Sequence, residues 1–227
     1  MTRGEELIRA GTPDGTVVVA DHQTEGRGRR GRSWGYGAAG TQLLASWLLR
    51  VEAVDAPLLT VLAAVALLRA ARALGVEDLS VKWPNDLLLG GRKVAGILAT
   101  SVRSDRGEHW LDLGTGVDVH THEHPEEVAS LVTSFARAGH SVDRLALLAR
   151  IAPELERLVD GGADGRDAAS REWRERSAML GRRVSIEDGA RTYEAEAVDL
   201  AADGALVVRR DGTLERVVAG DVSVRVG

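Results

Sequence analysis

The sequence predicts an α+β protein: a mixed, largely antiparallel sheet packed by helices, followed by a small β-barrel. Three observations carry this. A long apolar helix at 55–74 is followed by four strand-like runs separated by turn signals, an order that suits an antiparallel sheet better than alternating βαβ units. From Arg182 onward short runs are separated by Asp188-Gly189, Asp203-Gly204 and Asp211-Gly212, and Asp-Gly pairs are strong hairpin signals that together suggest a small meandering barrel. Apolar residues at 44% and charged residues at 28% of the 227 positions argue for a packed core rather than disorder. A boundary near Gly181 therefore divides the chain into 1–180 and 181–227.

Taken in order, 5–10 reads as a short helix and Thr16 to Ala20 (TVVVA) as a buried strand. A Gly/Arg loop follows, then a strand from Leu43 to Val51. In the helix from Asp55 to Leu74, Asp55 suits the cap, Pro57 the first turn and Gly75 the stop. Its apolar residues run nearly all the way round, which implies burial against a sheet. Leu79 to Trp83 and Leu87 to Leu89 read as short strands, and Gly90-Gly91 as a hairpin turn. Lys93 to Val102 and Trp110 to Val119 are longer strands joined by Ser104-Asp105-Arg106-Gly107. Val142 to Val159 has helical spacing with Asp143 near its start, Gly161 to Gly165 reads as a loop, and Ala168 to Leu180 as a last helix.

Bulk properties exclude several classes. The net charge of −5 argues against a general nucleic-acid binder and makes the one dense arginine cluster more informative. With no cysteine there is no disulfide framework, thiolate metal site or cysteine nucleophile. No run reaches the eighteen or so apolar residues of a membrane span, and Met-Thr-Arg-Gly-Glu-Glu lacks the order of a signal peptide. The expectation is a cytoplasmic protein with no membrane partner, as a monomer or a homodimer.

Four motifs carry chemistry. In 23–34 (QTEGRGRRGRSW) glycines let backbone N–H groups approach an anion, arginines supply fork-shaped donors, and Trp34 offers a stacking face. A solvated basic loop or an RNA-binding Arg/Gly tract is the ordinary alternative, but this run leaves a strand directly. In Lys82-Trp83-Pro84-Asn85-Asp86 the proline fixes the turn that presents Asn85 and Asp86; alone, it reads equally as a plain turn. Lys93 opens an apolar strand in which Gly96 leaves room against the sheet. Gly114-Thr115-Gly116-Val117-Asp118 places two glycines inside a strand, which suggests close approach by a ligand or a bulge. His120, His122 and His124 alternate but lack a fourth ligand, so a metal site there is discounted.

Taken together, GRGRRGRSW, KWPNDLLL, KVAGIL and GTGVDV, in that order and spacing, resemble the biotin–protein ligase family. The resemblance runs from about Val17 to Val119, and the segment after Arg182 looks like that family's C-terminal SH3-like domain. It implies a class II synthetase/lipoate ligase-like catalytic domain over 1–180 that binds biotin and ATP, in a short form without the N-terminal DNA-binding domain. The implied activity is ATP- and Mg2+-dependent formation of biotinyl-5′-AMP, then transfer of biotin to a lysine of a biotin carboxyl carrier domain. Gln23, Gly26, Arg27, Gly28, Arg29, Arg30 and Arg32 would form the loop over biotin and the adenylate, with Trp34 beside the adenine. Lys93 would bridge the biotin carboxylate and the α-phosphate with Arg29. Lys82, Trp83, Asn85 and Asp86 would lie near the phosphates, with Asp86 at the metal and the incoming lysine. Gly96, Gly114 and Gly116 would line the channel, and Asp118 would lie near the adenylate.

Three departures stand out. Glu25 replaces a small residue, Asp118 replaces Asn, and only Thr2 remains of a Ser-Thr-Asn element before the first helix. No DNA binding is expected. The alternatives are a lipoate- or octanoate-type acyl ligase of the same fold, and a degenerate biotin-binding member with weak turnover.

Overall fold

The computed structural model describes residues 2–35, 37–51, 56–188, 191–218 and 220–224. Four helices and eleven strands are assigned among them. Helix α1 (Thr2–Arg9) leads into β1 (Thr16–Ala20), and after the Gly/Arg loop come β2 (Gln42–Arg50) and α2 (Ala56–Arg72). The next four strands are β3 (Leu79–Lys82), β4 (Asp86–Leu89), β5 (Arg92–Arg103) and β6 (His109–Asp118). Helices α3 (Arg144–Asp160) and α4 (Gly162–Glu175) precede β7 (Arg183–Asp188), β8 (Arg191–Leu200), β9 (Leu206–Arg210), β10 (Thr213–Val217) and β11 (Asp221–Val224).

The first sheet has the order β1-β2-β6-β5-β4-β3 and the second β10-β9-β8-β7-β11. All ladders between these strands are antiparallel; among the described residues parallel pairing is confined to single bridges at Val81–Ser177 and Lys93–Val132. Gly90 and Gly91 both have positive φ between β4 and β5, as do Asp211 and Gly212 between β9 and β10, the geometry of a tight two-residue hairpin. The Asp188-Gly189 turn and the Asp55 cap fall outside the described residues.

Pleat alternation decides what each face does. On β2 and β6, Leu43, Ala45, Trp47, Leu111, Leu113 and Val117 join the core under α2. Helix α2 is buried nearly all round because it lies between the sheet and helices α3 and α4. Arg69 ties the three helices through Glu172 (2.6 Å) and Glu154 (3.3 Å). Asp143 caps α3, its Oδ1 accepting from the Ala146 amide at 2.7 Å. The opposite face of the sheet is covered at one end by α1, where Ile8 packs on Leu48, Val102 and Trp110.

Two expectations are corrected. Strand β1 is half-exposed rather than buried, with Val17 at 36% and Val19 at 45%, because it is a sheet edge covered on one face only. The 161–165 segment does not remain a loop. Gly161 caps a helix that starts at Gly162 and ends at Glu175, short of Leu180, so the last residues are released to pair beside β3.

Asp112 of β6 lies under Gly4 of α1, fully buried, with neither oxygen in hydrogen-bond geometry among the described residues. Burial pushes its carboxyl above the usual range; the Ser46 hydroxyl opposes this and Glu5 adds to it. A raised folded-state value means the group's contribution is intact below the unfolded value and is lost as pH rises through the folded one. Asp112→Asn, neutral throughout, should therefore be more stable than the parent by about 1–2 kcal/mol near pH ~8 and equal to it near pH ~4. Urea unfolding at the two pH values checks this, and an unchanged difference would contradict it.

Candidate active site

The Gly/Arg loop folds back on itself as a tight hairpin. Arg27 bridges Ser33, the Gly28 amide donates to the Arg32 carbonyl at 2.6 Å, and the Trp34 amide to the Gly26 carbonyl at 2.9 Å. A side chain at Gly26 would collide with the carbonyl of Trp34, so glycine is required for the hairpin to close. The loop covers one side of a cleft of about 1130 Å3.

The floor comes from β2, β5 and β6. Gly96 and Gly116 lie in register on adjacent strands, and the Trp34 indole rests on them. A Cβ at Gly116 would strike the indole nitrogen, and one at Gly96 would lie 3.3 Å from the ring. The Trp34 Nε1 is buried without a partner among the described residues. Lys93 Nζ stands 5.2 Å from the ring centroid, a cation facing a π-cloud. A further wall is formed by Val128, Leu131 and Val132. It is tied to the lysine's own backbone, since the Lys93 amide donates to the Leu131 carbonyl at 2.9 Å and the Thr133 amide to the Lys93 carbonyl at 2.8 Å.

The Lys82–Asp86 turn closes the polar end through a cis Trp83–Pro84 bond. Asn85 clamps this turn to β5: its Nδ2 donates to the Ile97 carbonyl at 2.8 Å while the Ile97 amide donates to the Asn85 carbonyl at 2.9 Å. Asp86 is thereby aimed at Lys93, with Oδ1 2.5 Å from Nζ, and its Oδ2 lies 4.0 Å from Lys82 Nζ. Burial pulls the Arg29 guanidinium below its ordinary value, Arg30 pulls in the same direction, and Asp86 opposes them.

The cleft gathers Gln23, Arg27, Gly28, Arg29, Arg30, Arg32 and Trp34 with Lys82, Asn85, Asp86 and Lys93, over Gly96, Gly114 and Gly116. Three residues are placed differently from expectation. Gly26 shapes the loop without lining the cleft. Trp83 lines it, but its indole points away and donates from Nε1 to the Gly204 carbonyl at 3.0 Å, joining the two sheets. Asp118 lies off the cleft: Gln42 Nε2 (2.7 Å) and Thr121 Oγ1 (2.9 Å) donate to its Oδ1, and His124 Nε2 is 3.5 Å from Oδ2. A carboxylate at this position is thus satisfied by donors of its own. Glu25 lies 3.9 Å from Arg27, with both side chains mostly in water, so the pair is weak.

Sequence reasoning missed the Val128–Val132 wall and two carboxylates, Glu187 and Asp221, that reach the loop from the second sheet. Neither carboxylate carries a local signal; the partners are more than 150 residues apart.

The cleft has a glycine floor on an antiparallel sheet and is lined by many cations with four carboxylates, Glu25, Asp86, Glu187 and Asp221, a setting suited to holding anions. The family model "Biotin/lipoate A/B protein ligase family" matches residues 2–118, and "Biotin protein ligase C terminal domain" matches 179–225. The chain belongs to this family. It is 34% identical over 97% of its length to the biotin–[acetyl-CoA-carboxylase] ligase of Mycobacterium tuberculosis, covering 84% of that protein. To the ligase of the same name from Paracoccus denitrificans it is 33% identical, covering 97% of this chain and 95% of the relative. Among solved structures, the biotin protein ligase of Aquifex aeolicus in complex with biotin and ATP superposes with a TM-score of 0.79 at 26% identity, over 98% of this chain and 94% of that one.

Proposed function

We propose that this protein is an ATP-dependent biotin–protein ligase, an enzyme that makes biotinyl-5′-AMP and passes the biotinyl group to one lysine of a biotin carboxyl carrier domain. The observation that carries this reading is the convergence of Lys93, Asp86 and the loop arginines in one cleft over Gly96 and Gly116. Its volume is on the scale of a site for a small ligand plus a nucleotide.

The chemistry suits these groups. A carboxylic acid with a reference pKa near ~4–5 is ionised at neutral pH, so the first step needs no base. A carboxylate oxygen attacks the α-phosphorus of ATP, a P–O bond forms, and pyrophosphate leaves with the electron pair of the broken bond. Two anions must be held together, and Lys93 with Arg29 supplies fixed positive charge at that point. Lys93 is itself held by Asp86. In the second step the acceptor amine, with a reference pKa of ~10.4, attacks the acyl carbon, AMP leaves, and a proton must be removed. Asp86 is assigned to orient that amine and accept the proton.

Magnesium commonly binds through one or two carboxylates plus substrate phosphates. Asp86, a half-buried carboxylate beside the loop's arginines, fits such a mode, and the ion would neutralise phosphate charge there. The division into a catalytic unit, 1–180, and a C-terminal unit, 181–227, is supported by separate family matches to 2–118 and 179–225. Among the described residues no helix is long and apolar enough to cross a membrane.

With biotin, MgATP and a biotin carboxyl carrier domain, the acceptor should gain the mass of one biotinyl group on one lysine. Lipoate or octanoate in place of biotin should add nothing. Acylation by those acids instead would shift the assignment to the other branch of the family.

A further inference from the structure

Three of the loop's four arginines reach out of the hairpin toward one end of the second sheet. Arg29 Nη1 donates to the Gly220 carbonyl at 3.0 Å and lies 3.5 Å from Asp221 Oδ1. Arg30 Nη2 donates to the Glu187 carbonyl at 2.7 Å, while its Nη1 is 3.2 Å from Glu187 Oε1 and 3.7 Å from Asp221 Oδ2. Arg32 pairs with Asp221 as well. Asp221 and Glu187 are direct neighbours across the β11–β7 ladder, so the two carboxylates form one edge.

We propose that Asp221, assisted by Glu187, is a positioning residue for the activation step: it holds the guanidinium groups of Arg29, Arg30 and Arg32 assembled at the cleft before ATP arrives. The proposal rests on the reading that this loop receives the nucleotide phosphates.

The tip of the hairpin needs outside support, because Arg30 sits at φ 53, a left-handed conformation disfavoured for a side chain. The anchor is fixed to the rest of the protein by Trp83 on Gly204 and by Arg174 of α4, which donates to Asp199 Oδ1 at 2.5 Å and to the Leu200 carbonyl at 2.6 Å. Two carboxylates facing three guanidiniums leave the cluster cationic, and each guanidinium keeps donors to offer a phosphate. Without Asp221, ordering the loop would have to be driven by ligand binding, which weakens apparent affinity by the fraction of molecules not already ordered.

The test compares Asp221→Asn and Asp221→Glu with the parent. In the ligand-free protein, tryptic cleavage after Arg29, Arg30 and Arg32, followed by mass spectrometry, should be about tenfold faster in Asp221→Asn and near parental in Asp221→Glu. The dissociation constant for α,β-methylene-ATP, an analogue that cannot release pyrophosphate, measured by calorimetry with biotin present, should rise about tenfold in Asp221→Asn and recover in Asp221→Glu. At saturating ATP, kcat should change less than about threefold, which a general loss of structure would not produce. Cleavage of Asp221→Asn within about twofold of the parent overturns the tie, and faster cleavage with unchanged analogue affinity overturns the positioning role. If the parent releases no pyrophosphate with biotin, the ligase reading fails alone, while cleavage and calorimetry still decide the role of Asp221.

Discussion

Replacing Lys93 with glutamine is expected to slow biotin-dependent pyrophosphate release by about 10²–10³-fold, the usual effect of removing one preorganised donor from a developing charge. The lysine is fixed from three sides: its backbone pairs with Leu131 and Thr133, Asp86 holds its ammonium at 2.5 Å, and Trp34 lies beneath it. Glutamine keeps a donor on a side chain one atom shorter but removes the positive charge. The protein should fold as before, because Lys93 stands at the cleft and not in the core under α2. Single-turnover pyrophosphate release at saturating biotin and ATP is the measurement, with thermal unfolding as the control. A rate within about threefold of the parent would remove Lys93 from the activation step.

Asp86→Asn is expected to act on both steps, with the larger effect on the second. The substitution releases Lys93 and so slows adenylate formation. It also removes the group assigned to take the acceptor's proton, a role that typically contributes about 10²–10⁴-fold. The two effects separate when preformed biotinyl-5′-AMP is supplied, because the first step is then bypassed. Transfer to the acceptor should still be slowed by about 10²-fold and should recover partly as pH approaches the lysine's own value, where more of the amine is already deprotonated. Transfer at the parental rate from preformed adenylate would rule out the proton-accepting role and leave Asp86 as the holder of Lys93.

Much of the site is legible in sequence because its demands are local. A hairpin that closes on Trp34 needs Gly26, a turn that aims Asp86 needs Pro84, and an indole lying on a sheet needs Gly96 and Gly116 beneath it. The two-residue turns at Gly90-Gly91 and Asp211-Gly212 are legible for the same reason, since positive φ at both positions restricts the residue types. What could not be read depends on partners far along the chain. TVVVA looks like a buried strand, yet its exposure follows from being an edge. Gly161 to Gly165 looks like a loop, yet these residues begin a helix whose buried members, Gly165, Ala169, Ser170 and Trp173, pack against their neighbours. Asp118 looks like a weakened copy of an adenylate-site asparagine, while Gln42 and Thr121 give it a separate hydrogen-bonded setting. The meeting of Arg29, Arg30 and Arg32 with Asp221 joins the two ends of the chain, and no window of sequence contains it.

The central claim is that this cleft activates a carboxylate by adenylation, and pyrophosphate release tests it most directly. With biotin and MgATP but no acceptor, the protein should release about one equivalent of pyrophosphate per site and retain biotinyl-5′-AMP, identifiable by mass; adding a biotin carboxyl carrier domain should convert the burst to turnover. Folded protein that binds ATP yet releases no pyrophosphate at any biotin concentration would contradict the account.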